Sequence, residues 1–192
     1  MKKYELTTNT KMRFGRKLFQ IKALVSFGDV TAGDLGGYIE KEENLSNDGE
    51  SWVYGDALVY GDALVSGNAL VYGNAQVSGN ARVYGNAQVS GDAWVSGDAR
   101  VSGDALVSGN AWVSGDADYI CFKGFGSESR NTTMFRTKNG DIYVCCGCFE
   151  GSLKEFSEKV KETHGTSKYA KEYLACIEVA KIHFEIGEKD DK

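Results

Sequence analysis

Trp52-Val53-Tyr54-Gly55-Asp56-Ala57-Leu58-Val59-Tyr60-Gly61-Asp62-Ala63 opens a stretch in which valine returns every sixth residue, from Val53 to Val113. Between valines the order is fixed: Tyr or Ser, Gly, Asp or Asn, Ala, then one variable residue. Six is even, so strand alternation survives each repeat, and Ala57 and Val59 point inward while Leu58 and Tyr60 point outward. Small inward side chains predict a narrow interior. The Gly-Asp or Gly-Asn pair falls at a corner, where residues tolerant of positive φ are expected. Three sides would close a coil of eighteen residues, and coils would stack at roughly 4.8 Å through parallel hydrogen bonds. About four coils give a prism on the order of 20 Å tall. Ile39 and Leu45 share the six-residue spacing, so the register begins there, with a small insertion around Asn47 to Glu50. A disordered low-complexity segment would not hold Val and Ala in place over eleven repeats.

The composition agrees with a repeat, since 24 glycines and no proline suit neither an ordinary globule nor collagen. A net charge of −5 and a pI near 5.2 argue against a general nucleic-acid binder, which needs a basic stripe. Met1-Lys2-Lys3-Tyr4-Glu5 does not lead into an apolar signal segment, and no stretch is long and apolar enough to span a bilayer. Five cysteines without regular spacing fit a reducing compartment, so a cytoplasmic location, the host's if the source is viral, is expected.

Val-x-Gly-Asp/Asn-Ala-x resembles the hexapeptide repeat of left-handed parallel β-helix proteins, over more than a third of the chain. The expected fold class is therefore mainly β, with residues 1–38 as an N-terminal β cap, 39–120 as a left-handed parallel β-helix and 121–192 as a C-terminal α+β domain. Sorted by eighteen, Trp52, Leu70, Gln88 and Leu106 share one outer face, and Leu58, Gln76, Trp94 and Trp112 a second. The third carries Leu64, Arg82, Arg100 and Asp118, with the two arginines one above the other. Stacked Trp and Leu side chains suit burial against a partner subunit or the chain's own ends. The resemblance implies a homotrimer, with Trp52, Leu58, Leu70, Trp94, Leu106 and Trp112 as its expected interface.

Many hexapeptide-repeat proteins are acyltransferases that use a histidine base, and the related gamma-class carbonic anhydrases hold zinc with three histidines. This chain has only His164 and His183, both beyond the repeats. Neither a catalytic set nor a metal or other cofactor is expected. Asp56, Asp62, Asp92, Asp98, Asp104 and Asp116 are accounted for as corner residues.

After Asp118 the repeat gives way to Tyr119-Ile120-Cys121-Phe122, a polar segment from Gly124 to Arg136, and a hairpin turning at Asn139-Gly140. A helix is predicted from about Ser152, a good N-cap with Glu155 three residues on, to His164, closed by Gly165. A second runs from Thr166 or Ser167 to about Glu185, and Lys189 to Lys192 reads as a frayed tail. Cys145, Cys146 and Cys148 lack zinc spacing and read as small buried hydrophobes.

Gly33-Asp34-Leu35-Gly36-Gly37-Tyr38-Ile39 with Asn44-Leu45-Ser46, Arg136-Thr137-Lys138-Asn139-Gly140 with Gly147-Cys148-Phe149, and Lys161-Glu162-Thr163-His164-Gly165 resemble phage and prophage proteins described only as polymer-forming or hexapeptide-repeat. That resemblance implies a phage origin and no reaction. The segment holding Ser127, Ser129, Arg130, Asn131, Thr132 and Thr133, with Arg136 nearby, is the richest in hydrogen-bonding groups. With His164, Lys168 and Tyr173 from the helices it forms the candidate site for a small anion, possessing an Arg fork and several hydroxyls. The expectation is a non-enzymatic phage-encoded binding protein that sequesters a nucleotide-like anion or host defence signal. The alternatives are a protein-binding inhibitor of a host enzyme, a hexapeptide-repeat acyltransferase and a structural scaffold.

Overall fold

The computed structural model describes residues 2–186, so the tail expected at Lys189 to Lys192 lies outside the described residues. The chain opens with a hairpin of β1 (Tyr4–Arg13) and β2 (Arg16–Ala23), followed by β3 (Leu35–Ile39). Eleven two-residue strands come next, from β4 (Trp52–Val53) to β14 (Trp112–Val113), each a variable residue followed by valine. An antiparallel sheet of β15 (Tyr119–Phe125), β16 (Arg130–Arg136), β17 (Ile142–Cys146) and β18 (Phe149–Ser152) succeeds them. Two helices, α1 (Leu153–His164) and α2 (Lys168–His183), pack on it.

The repeats form a β-solenoid of about four coils with three faces. Val53 lies beside Val71, Val59 beside Val77 and Val65 beside Val83, all in parallel register and eighteen residues apart. Leu58 N–H donates to the Ala75 carbonyl at 2.9 Å and Tyr60 N–H to the Val77 carbonyl at 3.0 Å, and the pattern climbs coil by coil. The first coil is wider: Ile39 lies beside Val59, twenty residues on, and Leu45 beside Val65. The two added residues are the insertion expected before Trp52. All valines from Val53 to Val113 have 0% exposure, so the interior is as narrow as their size requires.

The corners depart from the expectation in one respect. Glycine alone takes positive φ there, 66° at Gly79 and 67° at Gly103, whereas the neighbouring Asn and Asp do not. Those side chains bond between coils instead: Asn68 Nδ2 donates to Asn86 Oδ1 at 3.2 Å, and Asn86 Nδ2 to Asp104 Oδ1 at 2.8 Å. Asn80 donates to Asp98 and Asn74 to Asp92 in the same way. An amide can donate and a carboxylate can only accept, so Asn under Asp satisfies the ladder without stacking two negative charges.

Both ends of the coil are sealed by the chain itself. β3 pairs with β5 (Leu58–Val59), and β2 and β1 extend that face to a seven-stranded sheet. Trp52, expected at an oligomer interface, is fully buried against Phe27 at 5.4 Å and Tyr4 at 6.2 Å. The N-terminal segment covers it because the first coil would otherwise present its largest outer side chain to water. At the far end, strand alternation divides β16 and β17: Phe135, Tyr143 and Cys145 meet the solenoid core, while Met134, Val144 and Cys146 meet the helices. A single apolar core thus runs from Tyr4 through the coils to Phe135.

The Asn139-Gly140 turn joins β16 to β17 as expected, but within four strands rather than as a lone hairpin. The hairpin arm expected at Phe135 and Arg136 begins earlier: Arg130 to Met134, expected as part of a polar segment, is strand as well, because Thr132 to Phe135 fill both faces of the sheet. Ser152 caps α1, accepting from Glu155 N–H at 3.2 Å, while Glu155 Oε2 accepts from Ser152 N–H at 2.8 Å.

The stacking of glycine on glycine yields a paired prediction. A methyl group at Gly79 would lie 2.9 Å from the Gly97 nitrogen, whereas one at Gly103 would meet nothing within 4 Å. Gly103→Ala is expected to cost about 1–2 kcal/mol through its left-handed backbone alone. Gly79→Ala is expected to cost about 1–3 kcal/mol more, as the coil above must move. Denaturant unfolding of the two variants side by side measures the difference.

Candidate functional site

The β15–β16 turn reaches back over the last coils. Phe125 pairs with Arg130, leaving a turn from Gly126 to Ser129, with Ser129 in the left-handed region at φ 49°. Gly126 N–H donates to Glu172 Oε2 at 3.0 Å, and Tyr173 fills the space where a side chain at 126 would stand. Arg130 is exposed and lies across Gly147, so its guanidinium rests on the β17–β18 turn. It makes no ion pair among the described residues.

Between this turn and the solenoid lies an open depression of about 460 Å³. Glu128, Ser129, Arg130, Asn131 and Gly147 form its upper wall, and Asn86, Gln88, Asp104 and Leu106 its lower one. Lys123 bonds Asp104 and holds its carboxyl below the usual range, with help from Asn86 and Asn131. The depression therefore offers an exposed guanidinium, several amides, a neutralised carboxylate and an apolar floor.

The expected site residues divide. Ser129, Arg130 and Asn131 come together there, and Ser127 stands exposed in the adjoining turn. Thr132 and Thr133 are fully buried and do not reach it: Thr132 donates to Cys146 Sγ at 3.1 Å, and Thr133 Oγ1 accepts from Leu106 N–H at 3.1 Å. Arg136 sits six residues along the strand, roughly 20 Å away. It binds the Phe184 carbonyl at 2.7 Å and Asp118 at 3.5 Å, tying β16 to the end of α2. Tyr173 is buried in the helix core, and burial beside Cys146 pushes its phenol up to about 12. His164 stacks on Tyr173 at 5.7 Å, while Lys168 lies over the Tyr169 ring at 5.3 Å. None of these three lines the depression. Asn86, Gln88, Asp104, Glu128 and Gly147 were not anticipated; the eighteen-residue column linking Asn86 to Asp104 was the available signal.

The outer ladders are partly covered. Leu58 packs with Leu18, Tyr38 and Tyr60, and Leu70 and Leu106 lean on the main core. Phe14, at the hairpin tip, stacks on Trp94 at 6.0 Å, and Trp94 lies 4.6 Å from Trp112. This stack remains half exposed, with Phe14 at 63%.

Segments 53–67, 63–77, 75–91 and 99–115 match the YdcK Beta solenoid repeat, less than half of the chain. The likeness is thus one of repeat and fold. No curated protein matches the chain. Among the described residues no helix is long and apolar enough to cross a membrane.

The cysteines give a chemical check. Cys145 and Cys146 face opposite sides of the sheet, and burial pushes the Cys145 and Cys176 thiols up to about 11. Burial also raises Cys121, whereas Cys148 is exposed. A thiol reagent at mildly alkaline pH is expected to label Cys148 rapidly, the half-buried Cys121 more slowly, and Cys145, Cys146 and Cys176 only on unfolding, as peptide mass mapping would report.

Proposed function

We propose that this protein is a non-enzymatic binding protein that takes a small anionic, nucleotide-like ligand in the depression between the last coils and the β15–β16 turn. The observation that carries this reading is Arg130: an exposed guanidinium without a carboxylate partner among the described residues, flanked by Ser129 and Asn131 and facing Asn86 and Gln88. A phosphate or carboxylate would engage the guanidinium fork, and ribose-type hydroxyls would engage the amides and Asp104. Leu106 would support an apolar ring.

The resemblance to phage and prophage proteins extends the proposal to a phage-encoded protein of the host cytoplasm that sequesters a defence signal. Copies would associate as a homotrimer through the half-covered ladders at Leu70, Leu106, Trp94 and Trp112. A second reading, inhibition of a host enzyme by direct contact, is favoured by the half-exposed Phe14–Trp94–Trp112 stack. An acyltransferase has less support, because His164 and His183 belong to the helical segment rather than the coils.

Isothermal titration with a panel of cyclic and ADP-ribose-type nucleotides tests the reading. Saturable heat is expected for at least one, and Arg130→Ala is expected to weaken it by about 1.5–3 kcal/mol, the range for a charge-assisted hydrogen bond. Flat heats across the panel would contradict the proposal.

A further inference from the structure

Two outer faces of the solenoid carry the same Leu-Tyr-Gln step, twelve positions apart in sequence. On one face Leu58, Gln76 and Trp94 stack in register, with Tyr60 beside them. On the other Leu70, Gln88 and Leu106 stack, with Tyr72 beside them. In both, the tyrosine hydroxyl donates to the glutamine Oε1 of the coil above, at 3.5 Å from Tyr60 to Gln76 and at 3.1 Å from Tyr72 to Gln88.

The first step is occupied by the chain itself. Phe14, at the hairpin tip, lies 6.4 Å from the Tyr60 ring and 6.0 Å from Trp94, and Arg13 Nε donates to Gln76 Oε1 at 3.1 Å. Phe14 takes φ 47° there, a strained backbone for an aromatic residue that packing has to offset. A single flat ring thus spans the tyrosine and the side chain two coils above it, while the glutamine alongside accepts a hydrogen bond from the same occupant. The second step is open: Tyr72 is 36% exposed, whereas Tyr60 is 6%, and Gln88 and Leu106 belong to the lower wall of the depression. The two steps also differ in where the cation stands. At the first the guanidinium comes with the occupant, as Arg13; at the second it belongs to the opposite wall, as Arg130. The second step therefore suits a ring joined to an anion rather than another Arg-Phe tip.

We propose that Tyr72, Gln88 and Leu106 form a nucleobase-binding step: the ring lies on Tyr72 and Leu106, its edge meets Gln88 and its phosphate reaches Arg130. The Gln88 carbonyl accepts from Tyr72 and keeps a second lone pair, and its amide nitrogen makes no hydrogen bond among the described residues. An acceptor and a donor side by side complement a base edge such as the amino group and ring nitrogen of adenine. This inference rests on the reading of the depression as a nucleotide site, and it adds that the base is held by contacts of its own and that Tyr72, outside the walls of the depression, is one of them. The contact between copies proposed at Leu70 and Leu106 borders the same step, so in a trimer the base lies at that junction.

Titration calorimetry of the full chain with the cyclic and ADP-ribose-type nucleotides, and with ribose 5-phosphate as a ligand that has phosphate and sugar but no base, is the test. The wild type is expected to bind at least one nucleotide roughly tenfold or more tightly than ribose 5-phosphate. Tyr72→Ala is expected to weaken that nucleotide by roughly tenfold, and Gln88→Leu, which keeps the bulk and removes the amide, by about fivefold or more. Both variants are expected to leave the response to ribose 5-phosphate unchanged. Nucleotides that bind the wild type no more tightly than ribose 5-phosphate would overturn the step while leaving the depression an anion site, and that comparison needs no variant. Either variant retaining full nucleotide affinity would overturn it as well. Flat heats with every ligand would overturn both the step and the reading on which it rests.

Discussion

Backbone lying directly on backbone, eighteen residues apart, is the constraint on which the rest of this molecule depends. From Trp52 on, the hydrogen bonds that climb from Leu58 to Ala75 and from Tyr60 to Val77 hold each coil to the same eighteen-residue perimeter. Equal perimeters require equal interiors, hence valine and alanine at every inward place from Val53 to Val113. They also require corners with no side chain between coils, hence glycine over glycine. With the interior and corners fixed, chemical variety is confined to outward positions and to the ends.

The ends solve a common problem in two ways. A stack of strands terminates in unpaired backbone and an open core, which invites other chains. At the start, the hairpin extends one face with Tyr4 and Leu18 packed on the first coil, and the segment after β2 folds Phe27 against Trp52. At the finish, a sheet laid across the last coil uses one side for the solenoid and the other for α1 and α2. The candidate depression is a by-product of this closure. The Asn86–Asp104 column ends where the β15–β16 turn arrives, and exposed polar groups from both meet.

Legibility in the sequence tracks how local the deciding interaction is. Val53 to Val113 carry their period openly, so coil, register and even the insertion before Trp52 could be read. The Ser152–Glu155 cap and the Asn139-Gly140 turn are likewise decided within a few residues. What could not be read depends on distant neighbours. Asn80 and Asn86 look like turn residues until the carboxylate eighteen residues on is brought beside them. Trp52 has an outward position by parity, and only Tyr4 and Phe27, far away in sequence, bury it. Thr132 and Thr133 look like ligand hydroxyls until strand alternation aims them into opposite cores. Arg130, by contrast, stayed exposed, and two of the polar residues singled out around it, Ser129 and Asn131, share its wall.

The eighteen-residue coil can be tested directly by through-space nuclear Overhauser contacts between backbone amide and α protons in solution. Inter-strand contacts are expected to link the segments around Val59, Val77 and Val95, always one coil apart. Contacts at any other regular separation, or none between these segments, would contradict the stacked coil.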